Sequence, residues 1–339
     1  MQTKGAIGNL INRYQAVLKK CHLLNTLGAL TLASAFVLGG AASALSDTIK
    51  DTLKTAHSLT GVTYENQNPV FWAVTSRSEI TDSRFSANTN TDNPYGMGGV
   101  FYFQAPGETI FTNSSFVNNV LETKGENAYA GVLFDKGTVI SLNDVQFSGN
   151  KAVVNSDNAK AWGGAIYADA AINDEVGVKE AILNFNVTRD MTYSGNTIEV
   201  QDTSSWLDSY GSIGKSSGGF LFLDRSTTAN FNISDGATLT IGSEDASGHM
   251  DSIASSLSLD ESAKAKGSTL AKKGGGTLTV NSQLNDFYGH VAVQKGTMNV
   301  TKDWDVKNDI SVSGGTLNLA NASLVKIPDI EYIGTDEKT

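Results

Sequence analysis

Residues 98–119 read GGVFYFQAPGETIFTNSSFVNN, and they hold both halves of a pattern that repeats along the chain. The first half is a glycine-led apolar strand, GGVFYF (98–103), which returns as AGVLFD (130–135), GGAIYA (163–168) and GGFLFL (218–223). The second half is an aromatic-x-x-Asn turn, Phe116 to Asn119, which returns as Phe147 to Asn150 and Tyr193 to Asn196. The two alternate strictly, in the order Gly99, Phe116, Gly131, Phe147, Gly164, Tyr193, Gly219. The first four steps are each about 16 residues, and self-similarity at a near-fixed period marks a repeat architecture. The last two steps are longer and predict insertions at 170–180 and 199–215.

A third repeat takes over toward the C-terminus. GTLTV (276–280), GTMNV (296–300) and GTLNL (315–319) recur about every 20 residues, again a solenoid-like period. Each opens on glycine and then alternates polar with apolar residues, as a half-buried strand does. The rest is rich in Gly, Ser, Thr, Asn and Asp, and only four prolines interrupt it. One short strand cannot bury its apolar side alone. Winding such strands into coils, each about 4.8 Å above the last, pairs every backbone group and stacks like side chains. The spacings predict an all-β chain, a right-handed single-stranded parallel β-helix with roughly 16 to 20 residues per coil and roughly ten coils over 95–327. Val100, Leu133, Ile166 and Leu221 are expected to share one core. Asn119, Asn150 and Asn196 are expected to form an amide ladder at the bend. Replacing Gly164 or Asn150 should weaken one coil, while changes in 245–265 should be silent.

Residues 1–44 read as a secretory signal peptide. Lys4, Arg13, Lys19 and Lys20 form a basic n-region, 23–38 a short apolar core, and Ala42-Ser43-Ala44 an A-x-A exit, so cleavage precedes Leu45. Removing those four basic residues from the 25 leaves 21 Lys+Arg against 35 Asp+Glu, a net charge of −14, and removes the sole cysteine, Cys21. A cysteine-free exported chain must gain its stability from a large core or a long ladder. The acidity argues against nucleic acid and anionic membrane as partners. Residues 45–93 read as an N-terminal cap with irregular first strands. Within it, 46–60 reads either as a short amphipathic helix stopped by Gly61 or as a loose leader. Residues 94–327 are expected to form the β-helix and 328–339 an acidic tail.

Residues 270–301, LAKKGGGTLTVNSQLNDFYGHVAVQKGTMNVT, closely resemble the repeat of autotransporter passenger domains, the exported portion of type V secretion proteins. Leu270, Lys272, Gly274, Gly276, Thr277, Leu278, Asn285, Tyr288, Gly289, Val293, Gly296 and Thr297 fall in its register; Met298 replaces a leucine, and Gly315 opens the next strand. The alternating GGA-type strands and Phe-x-x-Asn turns look like those of the chlamydial polymorphic membrane proteins, which are autotransporter adhesins. The resemblance implies a pectin-lyase-like β-helix exported by the Sec route to the periplasm, and then to the outer membrane, cell surface or medium. It also implies a partner outer-membrane translocator barrel, for which the chain as given has no segment. A partial product, or one exported by another chain, is the expectation.

Chemistry-bearing motifs are sparse. Parallel β-helices host polysaccharide lyases and hydrolases, but no Asp-Asp pair occurs, and Gly248-His249 is followed by Met250. Asp303-x-Asp305 reads as a solvated strand face. No Gly-Asp-Ser-Gly nucleophile loop is present, and His57, His249 and His290 are scattered, without metal-ligand spacing. No catalytic residue, metal or cofactor is expected, and the chain reads as a non-enzyme. Two functions are carried forward. One is an adhesin or self-association protein that binds a host or bacterial surface receptor or glycan through loops at 170–180, 199–215 and 243–268. The alternative is a polysaccharide-active enzyme.

Overall fold

The computed structural model describes residues 58–67, 77–91, 95–104, 107–124, 127–156, 159–173, 177–200, 217–243, 248–256, 267–319, 325–326 and 329–332. The signal-cleavage residues Ala42, Ala44 and Leu45, most of the predicted helix, and most of the 199–215 insertion lie outside them. The described residues are all β, without a helix, and nearly every pairing is parallel. Ser58–Thr60, the end of the stretch predicted helical, is a strand, and Leu59 is buried in the core. Gly61, read as a helix stop, instead makes the left-handed turn into the next strand at φ +67°.

Ten strands stack into the longest sheet, in the order Ser58–Thr60, Ser78–Thr81, Glu108–Thr112, Val139–Asn143, Ala181–Val187, Thr227–Ile233, Thr269–Lys273, His290–Val293, Asp309–Val312 and Asp329–Tyr332. At the usual strand spacing, ten layers make a rod on the order of 45 Å long. The ladder therefore starts near residue 58, well before the expected boundary at 94, and the strands at 63–65, 78–81, 84–86 and 89–90 are regular members of it.

Coil length departs from expectation. Phe147 lies over Phe116 and Asn143 over Thr112, while Leu133 lies between Phe101 and Ile166. One coil in this half therefore takes roughly 32 residues, twice the expected period. The alternating motifs are thus two sides of one coil, not two successive coils. A glycine-led strand and an aromatic turn face the same core from opposite walls, so only alternate motifs pair. Toward the C-terminus Thr277 pairs Thr297, and Thr297 pairs Thr316. There the coil shortens to roughly 20 residues, the period expected from the third repeat.

Alternation explains the packing. In Ala181–Val187 (AILNFNV), Ala181, Leu183, Phe185 and Val187 point inward and are buried, while Ile182, Asn184 and Asn186 face out. Phe185 stacks on Phe231 in the next coil, with centroids 4.6 Å apart and planes 6° apart. At the turn, Phe85, Phe116 and Phe147 stack at 5.1 and 5.2 Å, and Tyr193 continues the column edge-on at 5.5 Å. Each such fully buried ring contributes roughly 2–3 kcal/mol. Val100, Leu133, Ile166 and Leu221 do share one buried core; within it the last three stack in one column headed by Phe101, and Val100 bonds to Val132 one position earlier.

Gly99, Gly131, Gly164 and Gly219 form a column in which backbone crowds backbone. A Cβ on Gly131 would stand 2.2 Å from the Gly164 carbonyl oxygen, and one on Gly164 would stand 2.1 Å from that of Gly219. The insertion at 170–180 contains an antiparallel pair, Ala171–Asn173 with Gly177–Lys179. The region 243–268 is not a simple loop. Ile253–Ser255 is a buried strand stacked above Leu221–Leu223, and Asp251 is fully buried. The strand is too short and too poor in apolar residues to stand out in the sequence.

Candidate functional site

The amide ladder runs through the interior of the turn. Asn88, Asn119 and Asn150 each donate from Nδ2 to the Oδ1 of the next member, ending on Asn196, at 2.8, 2.9 and 2.9 Å. The same amides reach back to backbone carbonyls, Asn119 to Phe85 and Asn150 to Phe116, both at 3.0 Å. All four asparagines are fully buried, so the ladder satisfies groups that water cannot reach. In the 270–301 stretch, Leu270 is a core residue, and Gly276, Gly296 and Gly315 follow one another at the same bend. Gly289 sits against Ser268, and the Tyr288 N–H donates to Ser255 Oγ at 2.7 Å. Lys272 is fully buried, and its Nζ donates to the carbonyls of Lys273, Gly274 and Lys295 at 2.9, 2.8 and 3.0 Å. Burial pushes its ammonium down to about 8. Gly274 completes the set, with φ +74° against the Ile233 carbonyl. These residues hold the rod together and present no chemistry to solvent.

The outer face of the long sheet is different. Asn143 donates to Thr112 Oγ1 at 3.2 Å, Asn186 to Asn143 at 2.7 Å, and Asn232 to Asn186 at 2.8 Å, forming a second amide column that is only partly buried. Beside it, at the corner into the next sheet, Asp82, Asn113 and Asp144 repeat at one position with φ 50°, 48° and 50°. Asn and Asp tolerate that left-handed conformation better than other side-chain-bearing residues. Asn113 Nδ2 donates to Asp82 at 2.7 Å, Arg189 donates to Asn113 Oδ1 at 2.9 Å, and the Thr188 N–H donates to Asp144 at 2.8 Å.

Two adjoining clefts of about 400 and 620 Å³ open along this corner and share Gln146, Asp190 and Met191. Arg189 and Asn113 line one, Thr192, Thr238 and Thr240 the other. Donors and acceptors are fixed by the coil, which suits a ligand rich in hydroxyl or amide groups. This cleft is not legible in the sequence, because its residues come from successive coils.

On another wall, Tyr102, Phe134, Tyr167 and Phe222 form a second buried aromatic column outside the main core, packed with Trp162 and Tyr129, with centroids 5.1, 5.1 and 5.3 Å apart. Next to it, Asp169 is held by Arg225 at 3.5 Å and Lys136 at 4.0 Å, and the Tyr167 hydroxyl donates to Asp224 at 2.5 Å. Burial, then the Asp224 charge, push Asp169 up to about 6 against the pull of Arg225 and Lys136. Asp135 is buried in the interior and pushed up to about 7 by burial, although Thr138 donates to it through both N–H and hydroxyl. Asp303 and Asp305 flank the fully buried Trp304. Among the described residues no group of three His, Cys, Asp or Glu is placed to hold a metal ion.

His290, scattered in the sequence, has two polar side chains beside it in space. Its Nδ1 lies 2.8 Å from Asp309 Oδ2, and its Nε2 lies 3.0 Å from Ser311 Oγ. The three meet because a single short coil separates them, so His290 stacks beneath the strand Asp309–Val312.

Over 291 residues the chain is 28% identical to "Probable autotransporter YfaL" of Escherichia coli (strain K12), covering 76% of this chain and 22% of that protein. The similarity supports an autotransporter family. The chain spans about a fifth of the length of that relative. No family model matches, and no solved structure matches.

Proposed function

We propose that the chain is an exported autotransporter passenger, carried by the Sec route and an outer-membrane barrel, that works as an adhesin or self-association rod. The similarity to a probable autotransporter supports a secreted or surface location. One observation carries the binding reading: the amide column from Thr112 to Asn232 and the adjoining cleft around Arg189 and Asp190 form a continuous, rigid, polar strip on the outer face. A surface whose amides and hydroxyls are already positioned loses little entropy on meeting a glycan, a receptor or the same strip on a second rod. Kinship with the chlamydial polymorphic membrane adhesins is part of this proposal and rests on the glycine-led strands and Phe-x-x-Asn turns. Binding without cleavage of polysaccharide is its principal activity.

The test is a cell-aggregation and host-cell binding assay, run beside a polysaccharide panel. Arg189→Ala with Asn186→Ala is expected to reduce adhesion or clumping at least several-fold while the melting midpoint stays within a few degrees. Release of unsaturated or shortened sugars by the unmodified chain, with no effect of these substitutions on adhesion, would sink the reading in favour of the polysaccharide enzyme.

A further inference from the structure

Asp309 and Ser311 stand two positions apart on one strand, so both project from the outer face while Ile310 between them is buried in the core. The neighbouring strand pairs Val291 with Ile310 and Ala292 with Ser311, which sets His290 opposite Asp309. The imidazole leans across the pair. Nδ1 meets the carboxylate at 2.8 Å and Nε2 meets the serine hydroxyl at 3.0 Å. When the carboxylate accepts from Nδ1–H, Nε2 is left with its lone pair toward the serine, which is the tautomer a general base needs. The ring is 29% exposed and Asp309 46%, so a dissolved substrate can reach both.

We propose that Ser311, His290 and Asp309 form a nucleophilic acyl-transfer site that hydrolyses short-chain carboxylic esters. Ser311 is the catalytic nucleophile, His290 the catalytic base, and Asp309 the positioning residue. Ser311 Oγ forms a bond to the ester carbonyl carbon as its proton passes to His290 Nε2. The carbon–oxygen bond to the alcohol then breaks, and the departing oxygen takes that proton. A water molecule attacks the acyl-serine carbon and gives a proton to Nε2; the carbon–Oγ bond then breaks, Oγ takes that proton back, and the carboxylic acid leaves with Ser311 and His290 restored. Ala292, paired with Ser311, and Ala271, in the coil below, are buried, so they close the floor beside Ser311 and open no deep acyl pocket there, which favours a small acid such as acetate. The strand that carries Ser311 is paired on both sides in the parallel ladder, so its own backbone N–H groups are committed to the sheet and do not form an oxyanion hole. Loss of one such donor costs about 10²–10³ in rate, and turnover here is accordingly slow. This site lies apart from the polar cleft and does not depend on the adhesion reading.

The experiment is covalent labelling of the purified full chain with a fluorophosphonate, followed by peptide mass spectrometry, beside p-nitrophenyl acetate hydrolysis. The expected result is an adduct on Ser311, absent in Ser311→Ala. Its rate should fall by about 10²-fold or more in His290→Ala, the scale of general-base catalysis, and also fall in Asp309→Asn, which permits the wrong tautomer. Melting midpoints report that each variant is folded. No adduct on Ser311 in folded protein, or an adduct whose rate is unchanged in His290→Ala, would overturn the proposal and leave the three residues as an inter-coil clasp.

Discussion

The carboxylate of Asp251 occupies the place of the next asparagine above Asn196. Its Oδ1 accepts from the Asn196 side-chain amide at 2.9 Å and from the Asn196 backbone N–H at 2.8 Å, and its Oδ2 accepts from the Gly195 N–H at 2.8 Å. A carboxylate accepts but does not donate, so the ladder that begins at Asn88 ends there. Asp251→Ala strips three donors of their partner in a buried site, and the expected loss is about 3 kcal/mol. Asn150→Ala, in the middle of the ladder, is expected to cost a similar amount, while Asp251→Asn keeps one acceptor and costs less. Chemical denaturation of the three variants checks the order, and equal stability of all three would remove the ladder as a source of cohesion. The sequence alone marks 245–265 as tolerant; at Asp251 the opposite is expected.

Gly131 and Gly61 separate two reasons for glycine. Gly131 has no space, because its Cβ would meet the Gly164 and Lys151 carbonyl oxygens at 2.2 and 2.3 Å. Gly61 has open space but φ +67°. Gly61→Ala is expected to cost about 1–2 kcal/mol, the penalty of the left-handed conformation. Gly131→Ala must push two coils apart and is expected to cost several times more, or to abolish cooperative unfolding. Thermal melts of the pair test this.

Two buried carboxyls give stability a pH dependence of definite sign. Asp135 and Asp169 are raised from an ordinary value of 3.8 to about 7 and about 6. The folded state therefore holds more protons than the unfolded one between about pH 4 and 7, so stability is greatest at the acidic end and is lost as pH rises through the folded values. The melting midpoint is expected to fall from about pH 5 to about pH 7.5. Asp135→Asn, which retains an acceptor for Thr138, is expected to flatten that slope. A midpoint that rises over the same range contradicts the assignment.

Lys272 binds three carbonyls where the chain bends at Gly274. Lys272→Met matches its volume and leaves those acceptors bare, with an expected loss of about 2–4 kcal/mol. Amide exchange should rise in the strands at 269–273 and 290–293 more than in those at 108–112 and 139–143. Uniform acceleration across the rod would argue against a local clasp.

Much of the fold is legible because stacking turns one-dimensional recurrence into contact. Phe116 and Phe147, Asn119 and Asn150, and Gly131 and Gly164 recur in sequence because each must fit against its copy in the next coil. The coil length is not legible, since recurrence alone does not distinguish two walls of one coil from two coils; the pairing of Thr112 with Asn143 does. Nor is the polar cleft: Asn113, Asp144 and Asp190 each stand three residues before a repeat aromatic, but Arg189 and Gln146 obey no motif, and the lining residues become neighbours only when their coils stack.

The sequence by itself determined that the chain repeats, which side chains turn inward and where only glycine or asparagine fits, because alternation and repetition are local properties of the chain. The tertiary structure alone decided which residues lie one coil apart. Long coils in the first half, where Asn143 lies over Thr112, and short ones in the second, where Thr297 lies over Thr277, set those partners. They brought His290 to Asp309 and Ser311, and put Asp251 above Asn196. Those contacts depend on the summed length of every strand, turn and insertion between the partners, and no local pattern encodes that sum.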